Sequence, residues 1–417
     1  MIYNIIIGSD NMDRIIFHVD VNNAFLSWTA VYKLEHGEEK DIRKEISAIG
    51  GDEKSRHGVV LAKSPQAKKI GIKTGTSLYE ARKICKNLKV YPPNYEWYTK
   101  ESNKMYKYLC TITPVIERYS IDECFLDLTG TNYLYDDYIK LAYKIKNDIK
   151  EKFGFTVNVG IGENKLCAKM ASDMEGPDKV HTLYKNEIKE KMWPMQIENL
   201  FMVGKKTSAK LREIGITTIG ELAQIDPKRL EVYFKNNTKF LIDSANGIDE
   251  SKVERRKASK ESISISETLT KDINDPDKLK EILFKQTEAL SRDLREKKKK
   301  TTGVCITYKN KNFVSSSHGE KITAPKNSTI ELYKDVMRIF EKSYNGDDIR
   351  NIGIRFYDLT DEREKQISLF DKEEDKEKED NLDVLVDSIN KKFGNVSVVP
   401  ASIKIIGESI RHRKERE

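Results

Sequence analysis

The first clear apolar run, Ile15-Ile16-Phe17-His18-Val19-Asp20, predicts a short buried strand over 15–20 that ends in a carboxylate. Phe25, Leu26, Trp28 and Val31 then recur at helical spacing, so a helix is expected over 24–34. A Gly- and Lys-rich region without clear period follows to about residue 90. Pro92-Pro93 breaks the chain, and a Tyr-rich helical pattern runs over 95–110. Strand patterns at 115–120 and 124–129 flank Asp122-Glu123 in a turn. A helix at 136–152, a strand at 155–161, a helix at 164–174 and a strand at 179–184 come next. Strand, helix, two strands, helix, strand is the split βαβ order, a sheet containing antiparallel strands and backed by helices.

Residues 195–250 read as wholly helical, with turns at Gly204, Gly215 and Gly247. From 251 to 260 the chain is charged and short of apolar residues, as a linker would be. Strands at 262–268, 303–308 and 352–357 and helices at 282–295 and 330–343 predict a second, smaller α/β domain. Beyond it lie a short apolar motif, an acid-dominated stretch at 371–380, one helix at 382–393 and a basic end.

Composition narrows the class without choosing a function. With 38% hydrophobic and 34% charged residues over 417 positions, a soluble multidomain chain is expected. No apolar stretch approaches the roughly 20 residues of a membrane span. Met1 to Gly8 is briefly apolar but lacks a basic flank and a small-residue cleavage site, which argues against a signal peptide; Met12 is an alternative start. Cys85, Cys110, Cys124, Cys167 and Cys305 show no paired spacing, so neither a disulfide framework nor a zinc site is expected, and a reducing cytoplasm fits. The net charge of +7 permits a polyanionic partner.

The candidate chemistry starts with carboxylates. Asp20 at a strand end and Asp122-Glu123 between strands can meet on one sheet edge. Phosphoryl transfer to a hydroxyl needs charge neutralisation and alignment. Two Mg²⁺ ions held by acidic side chains roughly 3.5–4 Å apart supply both.

The surrounding residues carry more. Phe17 to Phe25 (Phe-His-Val-Asp-Val-Asn-Asn-Ala-Phe) and Tyr119 to Leu128 (Tyr-Ser-Ile-Asp-Glu-Cys-Phe-Leu-Asp-Leu) resemble the two metal-binding motifs of the Y-family, or lesion-bypass, DNA polymerases. Val159 to Ser172 resembles that family's strand-turn-helix after the catalytic pair. Order and separation also match, and the resemblance runs from about 14 to 400, with the bacterial DNA polymerase IV group the best fit. It implies an α+β, multidomain right-hand polymerase. Its parts would be a ferredoxin-like palm (14–35 and 91–185) with small inserted fingers (36–90) and a helical helix-hairpin-helix thumb (186–250). A linker (251–261), an α/β little finger (262–360) and a tail (361–417) would follow.

The resemblance further implies that Asp20, Asp122 and Glu123 bind two Mg²⁺ ions, with Mn²⁺ an acceptable substitute and the Val21 carbonyl a backbone ligand. Phe25 falls at the family's steric gate, where a flat ring under the sugar excludes a ribose 2′-hydroxyl. Asn23, Ala24, Phe25 and Lys68 would contact the incoming dNTP. Ser120 and Cys124 are expected only to pack, and His18 to be a core histidine. The sequence departs from the family at the triphosphate clamp. A Tyr and an Arg are usual there, whereas Ser64-Pro65-Gln66-Ala67-Lys68 offers Pro65 in place of the Tyr and Lys68 in place of the Arg. A phosphate-binding Lys expected before Pro177 is replaced by Gly176, with Lys179 nearby. Tyr79-Glu80-Ala81-Arg82 has the right letters after the wrong turn, and Gly50-Gly51-Asp52-Glu53, similar to a cyclase signature, lies in the insert and reads as a loop.

Leu200 to Thr207, followed by Leu211 to Gly215 and Thr218 to Leu222, resembles a helix-hairpin-helix. Gly204, Lys205 and Lys206 would there offer backbone N–H groups and charge to phosphates. Lys298 and Lys299, within the basic run 297–300, suit a sheet that grips duplex backbone. Gln366-Ile367-Ser368-Leu369-Phe370 resembles the peptide that binds the β subunit of the bacterial sliding clamp, with Gln366, Leu369 and Phe370 as anchors.

The expected protein is a monomeric, cytoplasmic, exonuclease-free translesion polymerase acting on primer–template DNA and dNTPs and recruited by the clamp. Two competing readings make different expectations. A non-catalytic DNA- and clamp-binding protein is opposed by the intact Asp20, Asp122 and Glu123. A nucleotide cyclase would make cyclic dinucleotide from GTP without DNA, and the helical and C-terminal domains oppose it.

Overall fold

The computed structural model describes residues 14–52, 56, 58–255 and 262–361, together with 385, 388, 389 and 392. The chain divides into two compact units, Met1–Glu53 with Gly58–Lys257, and Lys54–His57 with Ala258–Glu417.

The first unit begins with β1 (Ile16–Val21) and α1 (Ala24–Glu35). A small insert follows: β2 (Ser47–Gly50), β3 (Val60–Lys63), α2 (Pro65–Lys69), α3 (Leu78–Ile84) and β4 (Lys89–Tyr91), its sheet ordered β3-β2-β4. The chain returns through α4 (Tyr95–Leu109), β5 (Ile116–Arg118), β6 (Glu123–Asp127), α5 (Tyr138–Phe153), β7 (Val157–Gly162), α6 (Lys165–Ser172) and β8 (Val180–Leu183). The main sheet has the order β5-β6-β1-β7-β8. Strands β5, β6, β1 and β7 pair antiparallel, and β8 joins β7 in parallel. The first four strands thus have the ferredoxin-like order, with β8 added at the edge.

Period-two alternation decides what each face of β1 meets. Phe17, Val19 and Val21 enter a core shared with Trp28, Tyr98, Leu141 and Ile145. Ile16 packs with Phe125 and Ala168 on the other side, and His18 bonds Ser172, so the even-numbered residues face α6. Asp20 follows the same alternation.

Gly160 pairs with His18 across β1 and β7. A Cβ on Gly160 would lie 2.0 Å from Ala168 O and 2.4 Å from Ser172 N, so only glycine lets α6 approach this closely. Gly160→Ala is therefore expected to destabilise the unit by about 3 kcal/mol through overpacking, read as a lower denaturation midpoint. An unchanged midpoint would mean that α6 can move away at no cost.

The same unit ends in four helices, α7 (Lys205–Glu213), α8 (Ile219–Ala223), α9 (Pro227–Phe234) and α10 (Thr238–Ala245). Leu211, Ile219, Leu222, Leu230 and Leu241 share a core with Leu166, Met170 and Ala171 of α6.

The second unit holds β9 (Ser262–Ile273), α11 (Pro276–Glu296), β10 (Lys299–Asn310), β11 (Ser315–Lys326), α12 (Thr329–Ser343) and β12 (Ile349–Asp361). Its antiparallel sheet has the order β11-β10-β12-β9, and both helices share one core with all four strands.

Three sequence expectations change. The region read as unperiodic to residue 90 contains a sheet and two helices, all too short for a period to show. The strand β11 was not expected, because its Ser- and Lys-rich, largely exposed residues carry no apolar alternation. Glu123 begins β6 instead of lying in the turn. Of the helix expected over 382–393, Leu385, Ser388, Ile389 and Lys392 are helical. The 366–370 motif lies outside the described residues. Among the described residues no helix is long and apolar enough to cross a membrane.

Candidate active site

Asp20 and Glu123 are direct register partners across β1 and β6. Phe125, two residues beyond Glu123, meets Ala168, so the pleat points Asp20 and Glu123 to the same face, the one covered by α6. Asp122 immediately precedes β6, and its carbonyl accepts from Val21 N at 3.2 Å. Ser120 Oγ donates to Asp122 Oδ1 at 2.5 Å and accepts from Asp122 N at 3.2 Å. Ser120, expected only to pack, therefore orients this carboxylate. Cys124 is buried as expected, its thiol pushed up to about 12 by that burial.

Lys165 and Lys169 on α6 and Asp173 at its C-terminal cap are spaced four apart, so they share one stripe. Lys165 Nζ bonds Glu117 at 2.8 Å. Lys169 Nζ lies 3.1 Å from Asp20 Oδ2, 3.1 Å from Glu123 Oε1 and 3.0 Å from Asp173 Oδ1. One buried ammonium thus gathers carboxylates from two strands and its own helix. Their charges raise its pKa although burial alone would lower it. Lys169 and Asp173 received no role from the sequence, although the four-residue spacing would have disclosed them once α6 was placed over β1.

Burial pushes Asp20 up to about 7, with Lys169 opposing and the neighbouring Glu123 and Asp122 charges adding to the rise. Burial works against the charge of Glu123 as well, yet the facing His18 ring and the Lys169 ammonium hold it at about 2. His18 is fully buried, with Nδ1 2.7 Å from Ser172 Oγ and Nε2 3.6 Å from Glu123 Oε2, beyond hydrogen-bonding distance. Burial lowers its pKa while the facing Glu123 works to raise it, and the buried ring is in keeping with the core histidine expected.

Among the described residues, no three His, Cys, Asp or Glu side chains alone make a metal cage. The donor chemistry nevertheless suits a hard divalent cation such as Mg²⁺. That ion is commonly held by one or two carboxylates together with substrate phosphates, so a complete protein cage is not required. Asp20, Asp122 and Glu123 supply hard oxygen donors on one sheet edge.

Around that edge, Asn23 takes the left-handed conformation with φ 50° and is exposed, and Ala24 is buried at the start of α1. Phe25 is half-buried and stacks on Tyr98, centroids 4.7 Å apart and planes 7° from parallel. The Tyr98 hydroxyl lies 2.7 Å from Thr29 Oγ1, which fixes the supporting ring. A cleft of ≈ 840 Å³ is lined by Asn22 and Asn23, which follow Asp20 in the chain, and by Lys63, Pro65, Lys68, Asp173 and Gly176 among others. Lys68 thus shares a cleft with Asn22 and Asn23. Gly176 has φ 100°, in the region that favours glycine, so a lysine would be strained there. A Cβ at Gly176 would touch the Lys179 chain at 3.3 Å. Tyr79 of the Tyr79–Arg82 segment is 67% exposed on α3, while Glu80 closes a capping box with Ser77.

The remaining candidates lie elsewhere. Gly204 caps α7, with exposed Lys205 and Lys206 in its first turn. In the second unit Lys298 is exposed, and Lys299 is paired with Asp361 at 2.7 Å.

Residues 19–173 match the impB/mucB/samB family, and 260–369 match that family's C-terminal domain. The DNA polymerase IV of Clostridium acetobutylicum is 47% identical over 92% of this chain and 96% of its own length. That of Clostridium kluyveri is 34% identical over 94% and 98%. The fold is shared with a solved Y-family DNA polymerase chimera, with a TM-score of 0.72 at 22% identity, covering 83% of this chain and 99% of that one. The chain belongs to the Y-family DNA polymerases and, within them, to the DNA polymerase IV group. It is a DNA-directed DNA polymerase, with the α+β fold of that family.

Proposed function

We propose that this chain extends a primer 3′-hydroxyl with dNTPs by a two-metal mechanism, bypasses template lesions without a proofreading exonuclease, and is recruited by the sliding clamp. The observation that carries the chemistry is the direct pairing of Asp20 with Glu123, with Asp122 beside them on the same strand edge. Asp20, Asp122, Glu123 and the Val21 carbonyl would hold two divalent ions, Mg²⁺ or Mn²⁺. Bound there, such ions neutralise the triphosphate and ease deprotonation of the 3′-hydroxyl.

The chain's own groups do the rest. Lys169 keeps the carboxylates assembled, and Ser120 holds Asp122 in one orientation. Phe25, its plane set by Tyr98, closes the space under the sugar. Asn23, Ala24 and Lys68 border the nucleotide. Gly204, Lys205 and Lys206 contact duplex phosphates through a helix start, and Lys298 and Lys299 add charge from the second unit, Lys299 after release from Asp361.

In this reading 14–35 with 91–185 is the palm, 36–90 the fingers, 186–250 the thumb, 251–261 the linker and 262–360 the little finger. The tail 361–417 carries the clamp peptide with Gln366, Leu369 and Phe370. The protein acts as a cytoplasmic monomer. Single-nucleotide insertion on a primed template tests the reading. Insertion dictated by the template base supports it, and a folded, DNA-binding protein that inserts nothing overturns it.

A further inference from the structure

The family's triphosphate clamp is depleted here, yet two lysines line the cleft next to Asn22 and Asn23. Lys63 closes β3 and Lys68 lies in α2, five residues on. Both line the same ≈ 840 Å³ cleft as Asn22 and Asn23, which follow Asp20 in the chain. The corner between these lysines is rigid. Ser64 is fully buried, and its Oγ accepts from Ser47 N at 3.2 Å and from Ala67 N at 3.1 Å. Lys63 Nζ donates to Thr74 Oγ1 at 3.0 Å, a neutral partner, and Lys63 forms no ion pair among the described residues. Three acids also line the cleft: Asp173 is engaged with Lys169 at 3.0 Å, Glu198 is engaged with Arg212, and Glu175 is exposed. Lys63 has its pKa lowered, first by burial and then by the Lys68 charge, so the two ammonium groups act on each other. Two like charges held on one wall are suited to an anion of several negative charges.

We propose that Lys63 is the second triphosphate-binding cation of this polymerase, acting with Lys68 on the phosphates of the incoming dNTP in place of the lysine expected where Gly176 stands. The proposal rests on the polymerase reading above and names a residue that reading does not require. Pro65 contributes no hydroxyl, so the site binds by charge in place of the usual tyrosine hydrogen bond and arginine fork. Lys63 positions substrate. Its loss should weaken nucleotide binding more than it slows the chemical step.

The test is single-nucleotide insertion by the full chain on a primed template with Mg²⁺, comparing wild type, Lys63→Gln and Lys63→Arg. Inhibition by inorganic tripolyphosphate is measured on the same three proteins. Lys63→Gln should raise KM for the dNTP about tenfold with a smaller change in kcat, the weight of one charged hydrogen bond. Tripolyphosphate inhibition should weaken in parallel, and Lys63→Arg, which keeps the charge, should restore both. Unchanged KM and unchanged inhibition in an active Lys63→Gln protein would overturn the assignment and leave the polymerase reading standing. A raised KM with unchanged inhibition, or failure of Lys63→Arg to restore either value, would equally remove Lys63 from the phosphate site. Absence of insertion by the wild type would instead overturn the reading on which the proposal rests.

Discussion

Primer extension should fall by at least about 10³-fold when Asp122 and Glu123 are both replaced by alanine, while binding to primer–template DNA persists. The expected loss is large because the substitution removes two of the three carboxylates on the β1–β6 edge, leaving Asp20 to neutralise the triphosphate alone. The fold should survive. Lys169 keeps Asp20 at 3.1 Å and Asp173 at 3.0 Å as partners, so no buried ammonium is stranded. Register pairing of β1 with β6 depends on backbone groups and is untouched by the change. Extension rates, DNA affinity and melting temperature measured together separate the two effects. Near-normal extension in the double variant would exclude these residues from catalysis.

Phe25→Ala should relax sugar selection by about 100-fold, seen as a rise in kcat/KM for ribonucleotides relative to deoxynucleotides. The ring is held flat against Tyr98 at a 7° angle, and Tyr98 is itself fully buried and close to Thr29. A side chain fixed in this way can exclude a hydroxyl that a mobile one would admit. Truncation to alanine removes the excluding face and also some packing. Because Phe25 is only half-buried, the stability cost should stay below the roughly 3–5 kcal/mol of a fully buried phenylalanine. Extension with dNTPs should therefore continue. Unchanged discrimination in an active variant would remove Phe25 from the gate role.

The parts of the fold that were legible in the sequence are those whose apolar pattern is long. The run from Ile15 to Val19 and the spacing Phe25, Leu26, Trp28, Val31 locate β1 and α1 to within a residue or so. The three-residue strand β4 and the five-residue helix α2 are too short to display any period, so the insert stayed opaque. The strand β11 was hidden because an exposed edge rich in Ser and Lys resembles a loop. The three carboxylates stood out through the motifs around them. That Asp20 and Glu123 are cross-strand partners follows from register, which no local pattern contains. Lys169 illustrates the remaining gap. Its spacing from Lys165 and Asp173 is plain, but its meaning depends on α6 lying directly over Gly160, a tertiary fact.

The most direct test of the central claim is single-nucleotide insertion by the full chain, with Mg²⁺ and each dNTP in turn, on primed templates that differ only in the first unpaired base. The matching dNTP should be inserted preferentially on every template, the primer should never shorten, and a chelator should stop the reaction. Insertion independent of the template base, shortening of the primer, or cyclic dinucleotide formed from GTP without DNA would contradict a template-directed, exonuclease-free polymerase built on Asp20, Asp122 and Glu123.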